Sequence, residues 1–244
     1  MRPLLYSLVF LAGLEFIALF RDYVFIVVFF LFFISLYSGR KIGKKWTFSI
    51  LPALFTLSTA ALLYLITLIY EEQLFILLAS FMYYLSLLSA YRLGEYGKDQ
   101  TARAMNMAAA ASTVFFAYSG AYGIYLNFAI PLYYLMLIYL AVSFLASFQY
   151  FSILKTGDKN KKIAWLYSFI LALAMAEIVW TINFWPFGYL TAGVIALILY
   201  YVLWDIVQSH FLNLLSRKRA TANLIFFSIM IILVLLSSKW LPMI

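Results

Sequence analysis

Four ionisable side chains other than tyrosine fall inside or at the edge of long apolar runs: Glu15, Glu177, Asp205 and His210. A charge held near the middle of a bilayer costs about 3 kcal/mol even on lenient insertion scales, so each is a candidate for function. Glu15 lies in Gly13-Leu14-Glu15-Phe16-Ile17 and Glu177 in Met175-Ala176-Glu177-Ile178-Val179. Each sits five residues before the end of its run, about 7–8 Å inside a helix end at 1.5 Å per residue. Two carboxylates sharing a space of low dielectric cannot both ionise freely, so such a pair holds a proton or a cation between them. That is the requirement for proton- or cation-coupled transport, and it also suits acid–base work on a lipid-linked substrate. The competing reading is structural: each glutamate hydrogen-bonds a neighbouring helix, and Arg21 is the nearby cation for Glu15.

Asp205 and His210 carry less weight. They follow a run long enough to reach the far interface, in Trp204-Asp205-Ile206-Val207-Gln208-Ser209-His210, just before Arg217-Lys218-Arg219. Asp205 and Ser209 are i,i+4 neighbours on a helix, whereas Asp205 and His210 diverge around it. Interfacial solvation is the expected state of both. A proton entry point is the sharper alternative for His210, since an imidazole titrates near neutrality.

These residues need helices to position them. Hydrophobic residues make up 67% of the 244-residue chain and charged residues 11%, a balance suited to a polytopic helical membrane protein and to no soluble fold. Apolar runs cover residues 4–20, 23–37, 46–70, 74–91, 104–121, 124–153, 163–182, 187–203 and 224–236. The expected fold is an all-α integral membrane bundle of about nine transmembrane helices, with seven or eight as alternative counts. Residues 1–244 form one multi-pass membrane domain, with no polar stretch long enough for a soluble one. The first two runs are short, so they form a tight hairpin or a re-entrant pair. The fifth and sixth are separated only by Gly120-Ala121-Tyr122-Gly123, and Pro131 falls about two turns into the sixth.

Charge orients the bundle. With the N-terminus cytoplasmic, the inner segments carry 15 of the 17 lysines and arginines, leaving only Arg21 and Lys239 outside. The outer loops carry Asp22, Glu71 and Glu72 instead. Trp46, Trp165 and Trp204 fall near inner ends, and Trp180, Trp185 and Trp240 near outer ends, as interfacial tryptophans do. The net charge of +8 therefore reflects topology rather than nucleic-acid binding.

Composition excludes several chemistries. The chain has no cysteine and a single histidine, which removes disulfides, thiol nucleophiles, thiolate metal sites and multi-histidine centres. No P-loop, His-Glu-x-x-His or Gly-x-Ser-x-Gly motif occurs, no Asp-x-x-x-Asp pair for a magnesium diphosphate exists, and every lysine falls in a loop. No catalytic residue, cofactor or metal ligand is expected. The partners expected are the bilayer, anionic lipid headgroups at the basic inner loops, and a membrane protein. The composition and terse loops fit a prokaryotic plasma membrane.

Three functions follow in order. The first is a small transporter or permease component using Glu15 and Glu177, which requires both to face a water-accessible cavity. The second is a non-catalytic scaffold or assembly subunit. The third is an enzyme acting on a lipid-linked substrate, for which only Asp22, Glu71 and Glu72 offer further outer-side acids. Span five, with its Ala-Ala-Ala-Ala-Ser stretch from Ala108, is expected to pack closely at the bundle centre, with Asn106 hydrated near its inner end.

Overall fold

The computed structural model describes residues 2–96, 99–128, 130–154, 158–212, 214 and 216–237. Its regular structure is helical: α1 (Arg2–Leu19), α2 (Val24–Gly43), α3 (Ile50–Leu65), α4 (Ile69–Tyr96), α5 (Gln100–Phe128), α6 (Leu132–Leu154), α7 (Asp158–Ile182), α8 (Tyr189–Phe211) and α9 (Arg217–Ser237). Single 3₁₀ turns at Arg21–Tyr23 and Trp46–Ser49 lead into α2 and α3. Among the described residues, six helices are long and apolar enough to cross a membrane, starting with Arg21–Gly43 and ending with Tyr189–Phe211. Pro3–Leu19 and Thr221–Ser237 are shorter apolar helices. α5 is in neither group, because hydroxyl-bearing and small residues dilute its apolar content. A helical membrane protein is thus the architecture.

The chain divides into two compact units, Met1–Gly120 and Ala121–Ile244. In the first, α1 packs on α4 and α2, and α2 on α3 and α4. Phe10, Leu14, Ile17, Phe55, Leu63 and Tyr83 form the centre of its core, with the Phe10 and Tyr83 rings stacked at 4.1 Å. The unit has two recognisable ends. At one, Pro3, Ile42, Lys44 and Glu95 line a common cavity, bringing together the start of α1 and the ends of α2 and α4. At the other, Arg21 bonds both the Ile66 carbonyl and Glu72, while Gln73 bonds Glu15. Along α4, Gln73 to Glu95 spans about 33 Å, close to a bilayer's hydrocarbon thickness of about 30 Å. The first two runs are therefore a helical hairpin in which α1 traverses the whole unit. Arg40, Lys41, Lys44 and Lys45 gather at one end; Asp22, Glu71 and Glu72 gather at the other.

Close backbone approach explains how α2, α3 and α4 meet at the basic end. A Cβ at Gly39 would stand 2.7 Å from the Phe48 carbonyl oxygen, and one at Gly94 would stand 2.9 Å from the Gly43 oxygen. The turn after α2 is made by Lys44, whose φ of 61° is the one positive value on a non-glycine among the described residues. Between α4 and α5, Asp99 caps α5 by accepting from the Ala102 N–H at 3.2 Å and pairs with Arg92 at 2.6 Å. The Ala102 N–H, with Arg92 beside it, holds the Asp99 carboxyl below the usual carboxylate range.

In the second unit α6 lies along α7, α7 packs on α8, and α8 on α9. Its interior is rich in tyrosine: Tyr122, Tyr139, Tyr150 and Tyr200 are all buried, and Tyr200 shares a hydrogen bond with Ser147 at 2.9 Å.

Four details differ from the sequence expectation. Gly120-Ala121-Tyr122-Gly123 does not break the chain: α5 continues to Phe128, and Gly120 is where its backbone closely approaches Leu62 and Ala61 of α3. Pro131 precedes α6 rather than lying inside it, where its missing N–H removes no helical hydrogen bond. Asn106 is buried rather than hydrated, 3.5 Å from the Ser89 hydroxyl. Of the interfacial tryptophans, Trp204 is buried against Tyr150, and Trp240 lies outside the described residues.

Candidate functional site

The acidic end of the first unit is built from three elements. α1 carries Glu15 one turn before its end, the 3₁₀ turn carries Arg21, and the first turn of α4 supplies Glu72 and Gln73. Gln73 Nε2 donates to Glu15 Oε2 at 3.1 Å, bridging α1 and α4. Arg21 Nη2 donates to the Ile66 carbonyl at 2.8 Å and to Glu72 Oε1 at 3.3 Å. The Glu72 side chain is only 9% exposed against 42% for Arg21, so the pair is a buried acid answered by a half-solvated cation. The first turn of α4 is also the positive end of its dipole, which favours Glu71 and Glu72 there. α3 ends at Leu65, leaving the Ile66 carbonyl for Arg21 to satisfy.

This arrangement departs from the sequence reading in one respect. Arg21 pairs with Glu72 rather than Glu15, and Glu15 takes an amide partner instead. Glu72, weighed only as an outer-loop acid, is the buried carboxylate of this unit. Its signal was available in principle: in Glu71-Glu72 at a helix start, one of two adjacent residues turns inward.

Glu177 lies on α7 in the second unit, and its side chain is exposed. It interrupts a stripe of exposed apolar residues, Ile163, Leu166, Ile170, Leu173 and Trp180, at the three- and four-residue spacing of one helix face. Its backbone carbonyl accepts from the Thr181 hydroxyl at 3.2 Å. Neither Glu15 nor Glu177 lines the cavities of about 530, 320 and 340 Å³ that open at Lys44 and Glu95, at Phe148 and Trp165, and at Tyr125 and Tyr134.

Asp205 is half-buried near the end of α8 and accepts from Asn223 Nδ2 on α9. It ties two helices together, a use its spacing to Ser209 did not suggest. His210, in the last turn of α8, is exposed, with its ring edge-on to Tyr167 at 5.7 Å.

The sequence reading missed a buried hydroxyl network. Ser35 Oγ on α2 lies 2.7 Å from Thr56 Oγ1 on α3 and 2.8 Å from the Tyr83 hydroxyl on α4, so one serine joins three helices. Thr56 donates back to the Pro52 carbonyl at 2.9 Å, the i−4 acceptor of its own helix. Hydroxyls in apolar runs were the available signal. Their convergence depends on helix rotation, which a single run does not encode.

A family model described as "Protein of unknown function (DUF5656)" matches residues 38–237, from within α2 to the end of α9. The matched stretch includes Glu72, Glu177, Asp205 and His210; Glu15 precedes it. No curated protein and no solved structure matches the chain.

Proposed function

We propose, from the premise that this chain belongs to the DUF5656 family, that it is a non-catalytic assembly subunit in which the Glu177 face of α7 receives a transmembrane helix of a partner protein. The observation that carries this reading is the exposed carboxylate in an otherwise apolar stripe. Against lipid tails such a group has no hydrogen-bond donor, a cost that reaches about 3 kcal/mol at the bilayer centre. Against a helix bearing an amide, hydroxyl or cationic side chain it gains an interhelical hydrogen bond, worth about 0.5–2 kcal/mol in membranes. The stripe Leu166, Ile170, Leu173 and Trp180 supplies the apolar contact around it.

A photo-crosslinking residue at Leu173 or Trp180, in cells making the protein at native level, tests this. Crosslinks to one helix of a membrane protein should persist in Glu177→Gln, which still hydrogen-bonds, and fall at least tenfold in Glu177→Leu. Crosslinks to lipid alone, unchanged by Glu177→Leu, would refute it.

Coupling of ions or protons is the second reading, favoured by the polar cluster of Glu15, Gln73, Arg21 and Glu72 at one end of the first unit. Proteoliposomes distinguish the two, because only this reading expects a proton or sodium flux that Glu15→Gln abolishes. In either reading the N-terminus and the basic ends are cytoplasmic, the membrane is the plasma membrane, and the source is prokaryotic.

A further inference from the structure

The cavity at the basic end of the first unit has walls of graded polarity, and none of its lining residues belongs to the proposed assembly surface. It has about 530 Å³ and is lined by residues of α1, α2 and α4 together with Lys44 of the turn after α2. On α4 the lining residues are Tyr84, Leu88, Tyr91 and Glu95, one helix face. They run for about 16 Å from the ionic end toward the unit's interior. Glu95 and Tyr91 at the mouth are exposed; Leu88 and Tyr84 below them are half-buried, and Ile42 beside them is buried. The polar end thus matches the chemistry of a lipid headgroup and the apolar end that of an acyl chain.

The polar end favours an anion. Lys41 and Lys44 line it, opposed by Glu95 alone. Lys44 Nζ is 2.6 Å from Glu95 Oε1, a lining residue, which holds that ammonium group at the cavity, while Lys41 Nζ stands 3.0 Å from the Tyr37 hydroxyl one turn back on α2. Pro3 and Leu4 also line the cavity, which places the positive dipole end of the 18-residue α1 there. Lys44 moreover occupies a left-handed position that glycine would take without strain, with φ 61° and ψ −1°. A strained residue kept at a site marks the site as a candidate for use.

We infer that this cavity holds one anionic phospholipid, its phosphate between Lys41, Lys44 and the start of α1 and an acyl chain along Leu88 and Tyr84. Glu95 then orients Lys44 toward the mouth, and a ligand phosphate competes with that carboxylate for the ammonium group. Free phosphate satisfies only the charged end; a neutral diacylglycerol satisfies only the apolar end.

Thermal unfolding of the full chain in dodecyl maltoside micelles tests the inference. Added phosphatidylglycerol should raise the apparent Tm by several degrees, whereas matched inorganic phosphate or diacylglycerol should not. The shift should fall by at least half in the Lys41→Gln/Lys44→Gln double variant, and likewise in Leu88→Trp, which fills the apolar end. Lys44→Gly separates binding from folding: relief of backbone strain should raise the lipid-free Tm while the lipid-induced shift shrinks. An equal shift with inorganic phosphate, or a phosphatidylglycerol shift unchanged in the variants, would overturn it.

Discussion

Arg21 and Glu72 form the most unequal ion pair of the first unit, and the inequality sets what each substitution does. Glu72 is nearly enclosed, while Arg21 is half-solvated and keeps the Ile66 carbonyl as a second acceptor. Removing the cation strands a buried carboxylate; removing the acid leaves a cation with water and a carbonyl. Arg21→Ala is therefore expected to cost about 2 kcal/mol and Glu72→Gln under about 1 kcal/mol. Stepwise unfolding by sodium dodecyl sulfate, followed by circular dichroism, measures both, and equal losses would contradict the ordering. Glu15, Glu177, Asp205 and His210 were legible as exceptional because a charged residue in an apolar run is costly wherever it faces. Their partners were not legible. Gln73 and Asn223 are ordinary residues that matter only because a second helix brings them to Glu15 and Asp205.

Helix extents follow from local rules, and helix contacts follow from shape. Gly39 shows the difference. In sequence it lies in Ser38-Gly39-Arg40, which reads as the end of a run, yet α2 continues through it to Gly43. The glycine is there because the 3₁₀ turn before α3 passes within 2.7 Å of where its Cβ would stand. The obstructing atoms are backbone, so the helices must separate to admit a methyl group. Gly39→Ala should destabilise by about 1–3 kcal/mol. Gly188→Ala is the control: its Cβ would meet nothing within 4 Å at an ordinary φ of −67°, and the change should cost no more than about 0.5–1 kcal/mol, for a poorer N-cap of α8. A Gly39→Ala variant as stable as the control would show that α2 and the turn have room to part. Gly120 follows the same logic: it marks a close approach to α3 inside an unbroken α5, where the sequence suggested a break.

For the molecule, the segregation of charge has a geometric counterpart in the first unit, where basic and acidic residues collect about 33 Å apart along α4. Placing the basic end inside follows the positive-inside rule. The absence of native cysteine makes this directly testable. Tyr70→Cys, next to the exposed Glu71, should react with an impermeant maleimide in intact cells, and Trp46→Cys only after permeabilisation; the opposite pattern would invert the topology. The sequence by itself determined the solvent, the helical class, most helix extents and the residues too costly to be filler, because hydropathy and charge act along one chain segment at a time. Only the tertiary structure decided that Glu72 is buried, that Glu177 faces outward, that Ser35 joins three helices and that a two-lysine cavity opens at the basic end. Those depend on how each helix is rotated against its neighbours. Among nearly uniform apolar runs, that rotation is chosen by glycine-sized gaps and single hydroxyl contacts rather than by any stripe a linear reading can see.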